Sequence, residues 1–279
     1  MSAHDPLLPH RNAIDEIDAA VLRLLNERAG HARAIGELKG TGVVYRPERE
    51  AEVLRRIQSL NTGPLPGEAV ARLFREIMSE CLAVERPLTI AYLGPAGTFT
   101  QQAAIKHFGH AAHTQACTTI DECFRMVEAR RADYVVAPVE NSTEGSVGRT
   151  LDLLSVSPLQ ACGEVVLRIH HHLLRKDHAQ MAGISKVYAH AQALAQCHDW
   201  LSRHLPDAVC ISVSSNAEAA RLAAQSGEAG VAAIAGQSAA EIYQLVKVAE
   251  NIEDEPNNTT RYLVLGHQDT APTGRDKTS

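Results

Sequence analysis

The sequence predicts an all-α N-terminal domain followed by an α/β domain of two lobes. Three observations carry this reading. The chain has 279 residues, a length that ordinarily supplies two cores. Up to about residue 86 the apolar residues recur at a helical period. From Pro87 onward, short apolar runs alternate with helical stretches.

In the first half, Leu7, Leu8, Ile14, Ile17, Val21, Leu24, Leu25, Ala29, Ala32, Ile35 and Leu38 trace one stripe of a long helix that reaches Lys39. At 1.5 Å per residue such a helix is roughly 50 Å long, longer than a small domain is wide, so its stripe calls for a second chain. A homodimer through the N-terminal helices follows. Gly40 and Gly42 stop the helix, Pro47 restarts a second one to about Leu60, and NTGPLPG at 61–67 turns the chain into a third ending near Glu85.

In the second half, LTIAYLG (88–94), DYVVAPVEN (133–141), ACGEVVLRIHHHLL (161–174), VCISVS (209–214), GVAAIAG (230–236) and TRYLVLG (260–266) read as strands. QQAAIKHF, IDECFRMVEA, ALAQCHDWLSRHL and AEAARLAAQ read as helices between them. The runs near 161–174 and 260–266 are where the chain would cross between lobes and form a cleft. These patterns set the domains at 1–86 and 87–267, with a polar tail over 268–279.

Composition narrows the function. Lys plus Arg number 27 against 33 Asp plus Glu, a formal charge of −6, so nucleic acid and anionic membrane are poor partners. No apolar run approaches the ~18–20 residues of a membrane helix, and the opening MSAHDPLLPHRNAIDEID lacks the layout of a signal peptide, which predicts a cytoplasmic location. Cys81, Cys117, Cys123, Cys162, Cys197 and Cys210 never fall as C-x-x-C and read as free, mostly buried thiols.

Charges on the first three helices suggest a small-dianion site. Arg28 and Lys39 are eleven residues apart and return to within about 20° of one helix face, whereas Arg11, seventeen residues before Arg28, lies about 100° away and points elsewhere, into a partner's site. The second helix adds Arg49 and Glu50, and the third adds Cys81 and Glu85 at i,i+4. Convergent cations with a carboxyl and no nucleophile–base pair suit stabilisation of charge moving within a bound dianion, although spacing alone equally fits a solvated face.

Over residues 6–86, the runs PLLPHRNAIDEIDAAVLRLLNERAGHARAIGELKG, VVYRPEREAEVLRRI and ARLFREIMSECLAVE resemble the three-helix, dimeric all-helical chorismate mutases. The resemblance implies that Arg11 from the partner chain, Arg28 and Arg49 grip the carboxylates of chorismate. It further implies that Lys39 bonds the ether oxygen, that Glu50 binds the hydroxyl, and that Cys81 and Glu85 occupy positions where a serine and a glutamine are usual. Arg46 stands where an acidic residue is often found. A glutamate facing an ether oxygen donates only when protonated.

Three polar clusters sit at strand ends of the second half, where α/β folds bind ligands. GPAGTFT (94–100) is a strand-to-helix turn without the G-K-[ST] of a P-loop, PVENSTEGSV (138–147) leaves an apolar strand, and Thr260-Arg261 open the last one. Together YLGPAGTFTQQAA, VAPVENSTEGSV, AHAQALAQC, SNAEAA and Thr260-Arg261-Tyr262 resemble a prephenate dehydratase across 88–266. The resemblance implies a two-lobed fold similar to type II periplasmic binding proteins, with prephenate in the cleft. Thr260 would then assist departure of the ring hydroxyl and Arg261 bind a carboxylate, while Thr98, Asn141, Ser142, Thr143, Gln192 and Ser215 line the pocket. Tyr262 replaces the usual Phe and adds a hydroxyl. Aromatisation drives the loss of carbon dioxide and water, so no metal or organic cofactor is required.

His170-His171-His172 on an apolar strand would alternate faces and is read as no metal site, His190 falls at the cleft edge, Cys197 and His198 are helix neighbours that do not face each other, and Trp200 belongs to the core. The combined expectation is a bifunctional enzyme of phenylalanine biosynthesis whose first domain makes the substrate of the second. The rival is a transcription regulator with a helical dimerisation domain and a two-lobed effector domain. Residues 1–86 hold 12 Lys/Arg against 13 Asp/Glu, with no basic recognition helix, which speaks against it. Family members usually continue past a GRDKTS-like segment into a phenylalanine-binding ACT regulatory domain. The stop at Ser279 therefore predicts no feedback inhibition by that route.

Overall fold

The computed structural model describes residues 5–40, 45–176 and 180–268. Gly42 and nearly all of the 268–279 tail lie outside the described residues. Among the described residues two compact units separate, one drawn from residues up to 88 and 108–112, the other from 89–107 and 113–268.

The helical unit contains α1 (Leu8–Lys39), α2 (Pro47–Leu60) and α3 (Gly67–Glu85). Pro9 lies in the first turn of α1, where its missing N–H costs no hydrogen bond, and Gly40 ends the helix at φ +57°, a backbone state that side chains disfavour. Pro47 opens α2 with Glu48 and Glu50 in the first turn, where carboxylates suit the positive end of the helix. α3 packs on both other helices and buries Val70, Ser79 and Cys81. α1 buries nothing along its 32 residues: Leu7 before it, and Ile14, Ile17, Val21, Leu24, Ile35 and Leu38 on it, are all exposed.

The α/β unit has two lobes, each built on its own sheet. The first holds β1 (Thr89–Leu93), α4 (Phe99–Phe108), β2 (His113–Cys117), α5 (Ile120–Glu128), β3 (Tyr134–Asn141), β4 (Gly145–Ser146), α6 (Gly148–Val156) and β5 (Gln160–Arg168). The second holds β6 (His172–Arg175), β7 (Lys186–His190), α7 (Ala191–Gln196), α8 (His198–His204), β8 (Val209–Val213), α9 (Asn216–Gln225), β9 (Val231–Ala235), α10 (Gln237–Ile242) and β10 (Val246–Ala249). The chain then returns to the first sheet as β11 (Thr259–Gly266). Strand orders are β2-β1-β3-β11-β5, with β4 beside β3, and β10-β6-β9-β7-β8. This is the two-lobed arrangement expected.

Ala91, Phe124, Val127, Val135 and Leu265 form the core of the first lobe. Leu173, Val187, Ile234 and Ile252 pack one face of the second sheet, while Ala219, Ala220, Ala223, Ala233 and Ala235 on the other let α9 approach closely. Each fully buried large side chain contributes about 1.5–3 kcal/mol against exposure.

Three details depart from the sequence reading. The run 161–174 is not one strand: β5 ends at Arg168 in the first sheet and β6 begins at His172 in the second. Only His172 of the histidine triple is therefore in a strand; His170 and His171 lie in the crossover, with His170 Nδ1 2.8 Å from Glu253. The return crossover is the segment before β11 rather than β11 itself. The helix read over 193–205 breaks at Cys197 into α7 and α8.

Candidate active sites

In the helical unit, one recess gathers Arg28 and Lys39 from α1, Arg49 and Glu50 from α2, and Cys81 and Glu85 from α3, beside Tyr45, Arg46 and Ser79. Its volume is about 210 Å³. Lys39 Nζ lies 3.1 Å from Glu85 Oε1, and the Glu85 side chain is only 6% exposed. Gly36 makes room for it: a Cβ at that position would lie 2.5 Å from Glu85 Cγ. Burial pushes the Glu50 carboxyl up to about 7, against the opposing pull of Arg75 and a hydrogen bond from Tyr45. Arg11 does not reach this recess. It pairs with Asp5 at 2.9 Å near the start of α1, seventeen residues and so roughly 25 Å along the axis from Arg28.

In the α/β unit, a cleft of about 810 Å³ runs between the lobes. Of the residues expected there, Thr98, Asn141, Gln192, Ser215 and Thr260 line it, and His190 does so at the start of α7. Ser142, Thr143 and Arg261 do not line it. Ser142 instead ties β3 to β11, its Oγ accepting from Thr259 N at 2.9 Å. Thr143 stands behind the wall, with its hydroxyl donating to Asn141 Oδ1 at 2.6 Å. Arg261 points away from the cleft lining, because strand neighbours face opposite sides. Thr260 turns into the cleft, while Arg261 pairs with Glu164 at 3.2 Å and Glu140 at 3.9 Å.

Among the described residues the cleft lining carries no Lys or Arg. Positive potential comes instead from helix N-termini. Thr98 and Phe99 at α4, Val147 before α6, and Ser215 and Asn216 at α9 all border the cleft. Ser215 Oγ caps α9 by accepting from Glu218 N at 3.0 Å, and Thr98 Oγ1 donates to Leu93 O at 3.0 Å. Gly97, at φ +90°, holds a backbone state that side chains disfavour, and a Cβ there would crowd Ala239 Cα at 3.1 Å.

Thr260 is held in a defined role. Asn141 Oδ1 accepts backbone N–H groups from Thr143 at 3.0 Å and Glu144 at 3.2 Å, which turns its amide nitrogen toward Thr260 Oγ1 at 2.8 Å. Thr260 Oγ1 thus accepts from Asn141, and its hydroxyl also meets the Tyr262 phenol. The Tyr262 phenol, bonded to the Thr260 and Thr100 side chains, is pushed well above its usual range by burial and stays protonated.

Sequence reasoning missed Gln196, Asn258, His171 and Thr100 in the lining. Gln196 was inside the quoted run AHAQALAQC, so that signal was present. Thr100 likewise lay inside GPAGTFT, and Asn258 inside the polar run NNTTRYLVLG (257–266) that leads into Thr260, whereas His171 belongs to a crossover segment without a motif of its own.

The profile of the family described as prephenate dehydratase matches residues 90–270, and that of chorismate mutase type II matches residues 10–86. A bifunctional chorismate mutase/prephenate dehydratase of Neisseria gonorrhoeae is 77% identical over 98% of this chain and 75% of its own length. The chain belongs to the bifunctional chorismate mutase/prephenate dehydratase family. The Escherichia coli K12 member is 31% identical over 96% of this chain and 74% of its own. A solved prephenate dehydratase of Arthrobacter aurescens in complex with L-Phe has 31% identity and a TM-score of 0.62, covering 68% of this chain and 63% of that one. The family's two activities, consistent with phenylalanine biosynthesis, assign the helical unit to the mutase and the α/β unit to the dehydratase. Nothing in these relatives supports the transcription-regulator alternative.

Proposed function

We propose that the helical recess rearranges chorismate and that the cleft converts the resulting prephenate to phenylpyruvate, with the residue roles that follow. The convergence of Arg28, Lys39, Arg49, Glu50 and Glu85 from three helices on one recess carries the first assignment. The rearrangement breaks the ether C–O bond and forms a C–C bond within one molecule, so the site needs only to hold the dianion folded and to stabilise charge at the ether oxygen. Arg28 and Arg49 bind carboxylates, Lys39 donates to the ether oxygen, Glu50 takes the hydroxyl, and Glu85 orients Lys39. Cys81 shapes the floor.

Prephenate is a dianion with a ring hydroxyl. In the cleft, the N-termini of α4, α6 and α9 bind its carboxylates, Thr98, Gln192 and Ser215 complete the contacts, and Thr260 gives its proton to the departing hydroxyl. The ring carboxylate leaves as carbon dioxide, its bonding electrons complete the aromatic ring, and the C–O bond breaks to release water. Asn141, donating to Thr260 Oγ1, stabilises that oxygen as the proton leaves, and solvent restores the proton.

A homodimer completes the mutase site. An α1 of 32 residues with nothing buried and an apolar stripe along its length supports pairing with a second copy, and the remoteness of Arg11 supports its donation across that pair. Free thiols, five of them buried, suit a cytoplasmic enzyme.

The experiment is to supply chorismate and follow prephenate and phenylpyruvate separately. Lys39→Ala is expected to halt the first step only, and Thr260→Ala to accumulate prephenate. Normal phenylpyruvate formation by either variant would remove that residue from its role.

A further inference from the structure

We propose that His171 is a positioning residue for the dehydratase step, acting through Gln196, Asn258 and Asn141 on the Thr260 hydroxyl. The proposal rests on the reading of Thr260 as proton donor. Its geometry is a chain of hydrogen bonds whose direction is fixed at one end. Two backbone N–H groups, which only donate, hold the Asn141 oxygen, so the Asn141 nitrogen faces Thr260 Oγ1 at 2.8 Å and Asn258 Oδ1 at 2.9 Å. With its oxygen engaged, Asn258 donates through Nδ2 to Gln196 Oε1 at 3.0 Å. That same oxygen lies 2.9 Å from His171 Nε2, so the imidazole carries its proton on Nε2 and donates it to Gln196. The Gln196 nitrogen in turn donates to Thr143 Oγ1 at 2.8 Å, whose hydroxyl returns to Asn141. Every amide in the loop has one orientation that satisfies it.

His171 is built to hold this place. It is 2% exposed, its backbone N–H donates to Glu253 Oε2 at 2.9 Å, its carbonyl accepts from Ile252 N at 2.9 Å, and its ring meets the Phe99 ring edge-on at 5.6 Å. Among the described residues Nδ1 is buried without a hydrogen-bond partner, and the bond to Gln196 is the polar tie that the ring makes there. The relay also draws on both crossover segments, through His171 and Asn258, and on both lobes, through Gln196 and Asn141. Segments shared by two lobes are where relative displacement is least, which suits a part that must aim one hydroxyl. Without the His171 donor, the Gln196 oxygen loses a buried partner and its amide is free to turn, placing a donor against the Asn258 donor.

The test uses the full chain with prephenate as substrate. His171→Phe keeps a ring against Phe99 but has no donor, and its dehydratase kcat is expected to fall about tenfold with KM within threefold of the parent. His171→Gln, whose amide nitrogen reaches the same oxygen, is expected to recover most of that loss. In a Thr260→Ala background, His171→Phe is expected to add little, because both act on one hydroxyl. Mutase activity and the thermal transition are read beside each variant. An unchanged kcat in His171→Phe, equal losses in the Phe and Gln variants, a loss confined to KM, or full additivity with Thr260→Ala each overturns the proposal. Should His171→Phe not fold, a folded His171→Gln with kcat below a tenth of the parent decides against it. If Thr260→Ala itself keeps the parent rate, the reading of Thr260 fails instead.

Discussion

Lys39 Nζ, from the last turn of α1, sits 3.1 Å from Glu85 Oε1 at the end of α3. Glu85 is thus an acceptor that orients the lysine. Glu85→Gln, whose amide oxygen still accepts from Lys39, is expected to keep mutase kcat within about threefold of the parent, whereas Glu85→Ala is expected to lower it at least tenfold. Equal losses in the two variants would remove Glu85 from the role of holding Lys39.

Gly36 gives a prediction of unusual sign. Replacing an interior helical glycine by alanine ordinarily stabilises by about 0.5–1 kcal/mol. Here the added Cβ would fall 2.5 Å from Glu85 Cγ, an atom too near its own backbone to step aside cheaply. Gly36→Ala is expected to lower mutase kcat at least tenfold and to leave prephenate turnover intact. Parent-like mutase kinetics would show that Glu85 is not held where α1 and α3 place it.

The features legible in sequence were those with strong local signatures. The α1 stripe, the Pro47 start of α2 and the fully buried run of β9 were read correctly because period and punctuation act over a few residues. β2 and β8 are sheet edges with mostly exposed or half-buried residues; β8 still carried an apolar run, but His113–Cys117 carries almost none, so β2 left no trace. The cleft was half legible. Residues at strand and helix ends line the cleft where motif position put them, whereas the direction of Arg261 depends on strand parity, which a bulge between Arg261 and Tyr262 also perturbs. His171 reaches the cleft only because the chain changes lobes beside it, a tertiary fact without local pattern.

Glu50 makes the mutase unit sensitive to pH. Burial raises its folded value from 4.5 to about 7, so the folded chain holds a proton that the unfolded chain has released between those values. The sign follows: the contribution to stability is complete below the unfolded value and is lost as pH rises through the folded one. Its upper bound is about 3 kcal/mol. Urea unfolding of the helical unit is expected to show stability declining from pH 5 to pH 8, with a shallower slope in Glu50→Gln. Identical slopes would mean that Glu50 ionises freely in the fold.

Arg11 and Lys39 allow the dimer and the shared site to be tested together. Arg11→Ala and Lys39→Ala chains are each expected to lack mutase activity alone. When co-folded in equal amounts, half the dimers are mixed and one site in each contains both residues, which restores about a quarter of the parent rate. No recovery on co-folding, with mixed dimers shown to form, would place Arg11 outside the partner's site.

Arg261 separates a structural role from a binding role. Its guanidinium lies 3.2 Å from Glu164 on β5 and 3.9 Å from Glu140 on β3, bracing β11 between its two neighbours from the face opposite Thr260. A partly exposed pair of this kind contributes up to about 1 kcal/mol, with the loss of the arginine's packed stem adding to it. Arg261→Gln is therefore expected to lower the thermal transition of the α/β unit by a few degrees while KM for prephenate stays within threefold. The strand reading has a clear alternative. Were the arginine to swing into the cleft on binding, the same substitution would raise KM by tenfold or more with the melting temperature little changed, because a charge-assisted bond to a carboxylate would be lost rather than a brace between strands.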